Sequence, residues 1–227
     1  MIRITLNDMF GIPNDELVLN NVTKKNEMEE SMNSPYKLKL KTDGPRVGFT
    51  VFEGELADRL RQNENAGGFA VNPIMFQFGY QFEKQYLNEG NFQALFEFIP
   101  MVTGLDQGLF IPSFTVLNGL RHNKNGWEFA FGPSFSVVKK ANGYDDPVTG
   151  VWTLWNDTLN PEGVTSVRRL DSRGTPEIQP GFVFAIGKTF KSGRLNLPVN
   201  FYVIPNNKGT RFGISVGFNA RDRYIKR

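Results

Sequence analysis

Three glutamates, Glu83, Glu97 and Glu128, come nearest to an acid-base site in this sequence. Paired carboxylates can act as general acid and general base when their surroundings separate their pKa values. The three residues fall on the polar faces of different strand-like segments, as does Arg46. An ion-pair network with Arg46 explains them more simply than catalysis does. The sequence therefore predicts no catalytic residue and no enzyme.

A second group of polar and aromatic residues lies in one long connection, within the segment GYDDPVTGVWTLWND. Exposed rings and carboxylates can hold a sugar or a divalent cation. The alternative is that DDPVTG is a turn that extends a hairpin, with the tryptophans packing across it. The candidate binding residues of this loop are Tyr144, Asp145, Asp146, Trp152, Trp155 and Asp157.

Composition limits the remaining chemistry. The chain has no cysteine and one histidine, His122 in the polar turn HNKNG, so thiolate and histidine-rich metal sites, disulfides and cysteine nucleophiles are excluded. Gly213 and Gly217 lie inside a strand-like segment and not before a helix, which disfavours a nucleotide-binding loop. The formal net charge is +3, with no basic stripe among the aromatics, so nucleic acid is not indicated. We predict no metal and no cofactor.

The elements that must position these residues are strands. In RFGISVGFN, residues 211–219, apolar and small or polar side chains alternate as they do across a pleated backbone. The same alternation recurs seven more times upstream. The eight predicted strands are Pro45 to Glu53, Pro73 to Leu87, Phe92 to Thr103, Phe110 to Arg121, Trp127 to about Lys140, Glu177 to Phe190, Leu195 to Val203 and Arg211 to Asn219.

The connections between these strands are short at one end of the predicted barrel and include long ones at the other end. Those at 88–91, 122–126 and 191–194 are short, whereas 54–72 and 141–175 are long and fall at the other end. This asymmetry is typical of membrane barrels with short periplasmic turns and longer outer loops. The sequence predicts an all-β fold, an eight-stranded antiparallel up-and-down transmembrane β-barrel at 45–227. A polar N-terminal extension at 1–44, expected on the periplasmic side, precedes it.

Alternation alone does not say which face is outside, because a soluble lipocalin-like barrel also alternates. Phenylalanine recurs on one face of nearly every strand, and alanine, glycine and serine dominate the other in the fifth and eighth strands. Small residues suit the narrow interior of an eight-stranded barrel, and phenylalanine suits lipid. We expect a filled, polar lumen with Arg46 bridging a glutamate. The predicted lumen network consists of Arg46, Gln77, Gln81, Glu83, Glu97, Glu128 and Asn200.

Strand count, alternation, loop asymmetry and an aromatic-rich last strand resemble the small eight-stranded outer-membrane proteins of the OmpA transmembrane domain and OmpX type. The resemblance covers about residues 45–220 and rests on pattern rather than on a motif. It implies a location in the bacterial outer membrane, with lipid as the surrounding partner. That location requires an export signal, and the opening MIRITLNDMF lacks the charged and apolar regions of one.

The expected function is therefore non-enzymatic. The barrel would act as an anchor, an adhesin or a partner-binding subunit through its extracellular loops, contacting another envelope protein or a glycan. The alternative is a soluble, lipocalin-like barrel that binds an apolar ligand. Four prolines inside the predicted strands, Pro100, Pro112, Pro133 and Pro198, each remove a ladder hydrogen bond and are expected at bulges or near the rims.

Overall fold

The computed structural model describes residues 40–89, 91–156, 160–192 and 195–220, and within them the chain is all-β. Eight long strands form the barrel, and each corresponds to a predicted strand. They are β1 (Gly44–Phe52), β2 (Ile74–Glu89), β3 (Phe92–Thr103), β4 (Ile111–His122), β5 (Trp127–Asp145), β8 (Thr175–Ser192), β9 (Leu195–Ile204) and β10 (Arg211–Gly217). The smaller elements are a helix α1 (Glu55–Arg61), the strands β6 (Trp152–Leu154), β7 (Val167–Leu170) and β11 (Asn219–Ala220), and two 3-10 turns (Glu64–Ala66 and Leu105–Gln107).

The barrel closes where its first and last long strands meet. β1 pairs antiparallel with β2 on one side and with β10 on the other, where Phe49 lies opposite Ile214. The remaining barrel strands pair in chain order, and β9 pairs with β10. Closure removes the open sheet edges that would otherwise invite aggregation. The predicted closed, antiparallel, up-and-down barrel of eight strands is confirmed.

The side chains of each strand alternate between a buried and an exposed face. In β5, Glu128, Ala130 and Ser134 are buried, whereas Phe129 and Phe131 are 48% and 40% exposed. The buried polar side chains therefore line the interior of the barrel, and the aromatic side chains cover its outer surface. This is the reverse of the usual distribution in a water-soluble protein.

Two of the prolines coincide with gaps in the strand ladders. Between β2 and β3 the pairing skips from Gly79 opposite Met101 to Phe82 opposite Phe98, which brackets Pro100. Between β4 and β5 it skips from Thr115 opposite Ser134 to Asn118 opposite Phe131, which brackets Pro133. Proline has no N–H to donate, so a local gap in the ladder accommodates it without a change of register.

The two ends of the barrel differ. At one end, here called the turn end, β2–β3, β4–β5 and β8–β9 are joined by short turns, as predicted. At the other, the loop end, the connection from β1 to β2 carries α1, and the long connection from β5 to β8 carries β6 and β7. Both β6 and β7 pair with the part of β5 nearest the loop end. The chain enters β1 and leaves β10 at the turn end.

Candidate functional site

Arg121 of β4 is the centre of a charged cluster in the turn-end half of the lumen. Its side chain is fully buried, and Nη1 lies 2.7 Å from Oε2 of Glu83 while Nη2 lies 3.6 Å from Oε1 of Glu97. Its Nε donates a hydrogen bond to Glu128. One guanidinium thus faces carboxylates from β2, β3 and β5. A buried carboxylate is costly without a cation, so Arg121 stabilises the three glutamates in the lumen. It thereby links the charges of four consecutive strands.

The residues that precede β1, 40–43, fill the turn end and are here called the strap. Arg121 donates to the Leu40 carbonyl at 2.9 Å and to the Thr42 hydroxyl at 2.8 Å. Thr42 donates in turn to Glu83 at 2.8 Å, and Gln81 donates to Thr42 at 3.2 Å. The part of the predicted N-terminal extension that the structure describes therefore lies within the end of the barrel. Residues 1–39 lie outside the described residues.

All seven residues of the predicted lumen network face the interior, but the predicted role of Arg46 is wrong. Within the described residues, Arg46 has no carboxylate within 4.0 Å. It donates to the Ser215 hydroxyl at 3.3 Å and, with the Asn200 amide oxygen turned toward it, to Asn200 at 2.8 Å. Arg121 makes the contacts expected of Arg46. The sequence held a signal for Arg121, because it shares strand parity with the polar-face residues Ser113 and Thr115.

The loop-end half of the lumen is different in character. A cluster of buried apolar side chains crosses it, with Tyr202 and Met101 packed against the cluster. The cluster consists of Ile99, Leu117, Ala130, Val183, Ala185 and Ile204. Tyr202 reaches across the lumen to hydrogen-bond the Gln77 amide oxygen at 2.5 Å. A Cβ added at Gly213 would lie 2.1 Å from the Tyr202 ring, which explains a glycine on this face.

Over the loop end, Asp171 joins two connections into one structure, here called the loop lock. Its carboxylate accepts from Trp152 Nε1 at 2.8 Å and from both Nε and Nη2 of Arg173, at 3.0 and 2.9 Å. Arg173 also donates to the Asn65 carbonyl at 3.4 Å, and Ser172 N donates to the Gly67 carbonyl at 3.2 Å. The lock therefore ties the β5–β8 connection to the β1–β2 connection.

The surroundings of the loop lock shift the pKa values of two of its residues, Asp171 and Arg169. Burial acts to raise the pKa of Asp171, but the hydrogen bonds from Arg173 and Trp152 outweigh it, so that the pKa lies below the ordinary range. The guanidinium of Arg169 stacks 3.5 Å above the Trp152 ring. Burial, followed by the nearby charge of Arg59, lowers the pKa of Arg169 to about 10. Arg169 nevertheless stays charged at neutral pH.

The structure assigns structural contacts to most of the predicted loop-binding residues. Tyr144 and Trp152 are buried, and Tyr144 packs edge-on against Trp155 with ring centroids 6.1 Å apart. Asp145 lies 3.7 Å from Arg169. Asp146 accepts backbone hydrogen bonds from Val148 at 2.8 Å and Thr149 at 2.9 Å, which lower its pKa and form the turn that the alternative interpretation expected. Asp157 lies outside the described residues.

His122 and the lumen glutamates all make structural contacts. His122 packs edge-on against Phe92, and its Nδ1 accepts from the backbone N–H of Asn125 at 3.2 Å. The three glutamates all contact the Arg121 guanidinium, and Glu83 also accepts from the Thr42 hydroxyl at 2.8 Å. In residues 40–89, 91–156, 160–192 and 195–220, no group of three or more His, Asp and Glu is placed to hold a metal ion.

No protein-family model and no curated protein matches this sequence. None of the helices in the described part of the chain has the length and apolar character to cross a membrane.

Proposed function

We propose that the protein is a bacterial outer-membrane β-barrel of the OmpA transmembrane domain and OmpX type, with a lumen that polar side chains fill at the turn end. In this proposal it has no enzymatic activity and serves as an anchor, an adhesin or a partner-binding subunit. One observation carries the proposal: the large apolar side chains lie on the outer surface of the barrel while arginines and glutamates lie inside. In lipid this distribution is favourable, because the outer side chains meet acyl chains and the interior satisfies its own polar groups.

The size of the apolar surface supports this location. Monomeric soluble proteins rarely expose contiguous apolar patches larger than a few hundred Å². Here the exposed apolar residues occur on all eight barrel strands. They include Phe49, Phe78, Phe82, Phe96, Phe98, Phe114, Phe129, Phe131, Phe135, Phe182, Phe184, Phe190, Phe201 and Ile214. A soluble barrel that carries an apolar ligand would instead place such residues inside.

Aromatic residues near the turn end support the same proposal. Trp127 and Phe92, at the starts of β5 and β3, are 50% and 59% exposed, and Tyr86 near the end of β2 is 43% exposed. Lys188 Nζ lies 5.2 Å from the Trp127 ring centroid. Aromatic and basic side chains at one level are typical of the membrane–water interface, where amphipathic rings are favoured.

The test of this proposal is folding with and without an amphiphile. The purified, unfolded chain is diluted into plain buffer or into a non-ionic detergent, and unboiled samples are compared with boiled ones by gel electrophoresis. We expect strand formation and an altered unboiled mobility only in detergent. A monodisperse, folded sample in plain buffer would favour the soluble alternative.

The contact surface in this proposal is the hairpin tip beside Asp146, at the loop end. Val148 is 92% exposed there and Val151 is 55% exposed, and binding residues concentrate on loops held by a rigid scaffold. Expressed with an export signal in a Gram-negative host, a Val148→Cys variant is expected to react with a membrane-impermeant maleimide on intact cells. Lys124→Cys, in a turn at the opposite end, should react only after lysis, and the reverse pattern would contradict the orientation.

A further inference from the structure

A cavity of about 400 Å³ opens at the loop end, between β5, β7, the start of β8 and the connection from β9 to β10. Its volume lies in the range of small-molecule binding sites. Four basic side chains line it, Lys140, Arg168, Arg169 and Lys208, and its lining contains no carboxylate among the residues that the structure describes. The cavity is therefore a concave surface with one sign of charge, which concentrates anions from solution.

The carboxylates near these cations neutralise them only in part. Glu177 lies 3.0 Å from Arg168, with both side chains more than a third exposed, and Glu55 lies 3.9 Å from Lys208 at the edge of the contact range. Exposed pairs of this kind are weak and leave the cations able to bind other anions. Lys140 has no carboxylate within 4.0 Å among the described residues. Arg169 is paired with Asp145 at 3.7 Å. Burial, followed by the charge of Arg59, lowers its pKa, although Asp145, Asp171 and Glu55 act to raise it.

A second, smaller cavity of about 80 Å³ lies below the first and is mainly apolar. The two share Leu56, Leu170, Gln179 and Asn206 in their linings, so they follow one another from the mouth into the lumen. Phe52, Val138 and Ile204 supply further apolar walls. Arg211 also lines this cavity, and its buried Nε has no hydrogen-bond partner within the described structure. A cationic compartment thus leads into a narrow apolar one.

We propose that the loop-end mouth binds an anionic amphiphile, with a phosphate or carboxylate head group against Lys140, Arg168 and Lys208 and a short apolar chain against Leu56, Leu170 and Ile204. Guanidinium groups bind such oxyanions through paired N–H donors, and lysine adds a mobile point charge. The apolar compartment has room for only a short chain. Its volume of about 80 Å³ holds only a few water molecules, since each requires about 10–15 Å³. The inference rests on the closed barrel and its loops and does not depend on the membrane location.

The test is calorimetric titration of the folded protein in a non-ionic detergent with three probes: hexyl phosphate, inorganic phosphate and hexanol. We expect hexyl phosphate to bind at least tenfold more tightly than inorganic phosphate and hexanol not to bind. Affinity for hexyl phosphate should fall as sodium chloride is raised, because exposed charges are screened. Equal affinities for hexyl phosphate and phosphate would overturn the apolar part of the site, and no binding of either anion would overturn the site.

The variant Lys140→Gln/Lys208→Gln should weaken hexyl phosphate binding tenfold or more and keep the unboiled gel mobility of the wild type. The matched control is Lys124→Gln, which removes a lysine charge at the opposite end and should leave the affinity unchanged. Equal affinity in the double variant and the wild type would show that hexyl phosphate binds the detergent micelle or another surface, and would overturn the proposal. Because the gel mobility reports the barrel and the titration reports the mouth, the two proposals fail independently.

Discussion

The two halves of the lumen are formed by the same eight strands but differ in the side chains that fill them. At the turn end, Arg121, three glutamates and the strap fill the interior with hydrogen bonds. At the loop end, small and apolar side chains leave cavities that lead to a basic mouth. Polar contacts close one end and hold neighbouring strands together, whereas the other end keeps room for a ligand. A barrel of one diameter can therefore combine a structural half and a binding half.

Replacing Arg121 should have the largest effect, since it would test the structural half directly. Arg121→Met leaves three buried carboxylates without their cation and should lower the free energy of unfolding by about 3–5 kcal/mol. Urea unfolding of the detergent-folded protein, followed by gel mobility, measures this. Arg168→Met, at an exposed pair on β7, is the control and should cost less than about 1 kcal/mol.

Arg46→Met should cost less than Arg121→Met, although both arginines are buried in the lumen. Arg46 donates to the neutral partners Ser215 and Asn200, so its loss should cost about 1.5–3 kcal/mol, the range of hydrogen bonds that involve one charged group. The same urea titration compares the two variants. If Arg46→Met is the more damaging, Arg121 is not the centre of the turn-end cluster.

The loop lock should contribute to local order above the barrel more than to global stability. Gly67 has φ +83°, and a Cβ there would lie 2.3 Å from Asp171 Oδ2, so Gly67→Ala should separate the two connections. We expect faster proteolysis and faster amide exchange in 62–72 and 167–174 while the barrel strands stay protected. Gly150→Ala, also at positive φ but with open space around it, is the control. Equal exchange in both variants would contradict the lock.

The pH dependence of the lock follows from the lowered pKa of Asp171. A carboxyl group with a depressed folded-state pKa stabilises the fold above its unfolded pKa, about 3.9, and this stabilisation is lost as the pH falls through the lower folded value. Amide exchange in 167–174 should therefore be constant from pH 7 to about 5, after correction for intrinsic rates, and rise below about pH 4. In Asp171→Asn the exchange should be fast throughout. A rise centred near neutral pH would assign the lock to another group.

The smallest effect is expected at Asp146, whose side chain accepts hydrogen bonds within an exposed hairpin tip, from the backbone N–H groups of Val148 and Thr149. Asp146→Ala should leave the urea midpoint of the barrel unchanged and alter exchange only at Val148 and Thr149. Asp146→Asn, which can still accept those hydrogen bonds, should restore the wild-type exchange. A large loss of barrel stability in Asp146→Ala would show that the tip is coupled to the lumen.

The number of strands, their order along the chain and the face on which each side chain lies could be predicted from the sequence, because alternation reports the face of each residue directly. The position of a residue along the barrel axis was less accessible. The side chains of Arg121 and Arg46 both point into the lumen. Which of the two contacts the glutamates depends on how far each strand is shifted along the barrel axis relative to its neighbours. The strap and the loop lock were also missed, since Arg121 contacts Leu40 across 81 positions and Arg173 contacts Asn65 across 108. No local pattern encodes such contacts.

The measurement that most directly tests the outward apolar face uses the absence of native cysteine. Phe131→Cys, on the aromatic face of β5, and Val148→Cys, at the loop tip, are folded into lipid vesicles and treated with a water-soluble maleimide. We expect rapid labelling of Val148→Cys and protection of Phe131→Cys until the protein is unfolded in urea. Labelling of Phe131→Cys as fast as Val148→Cys in the folded, vesicle-bound protein would contradict this expectation.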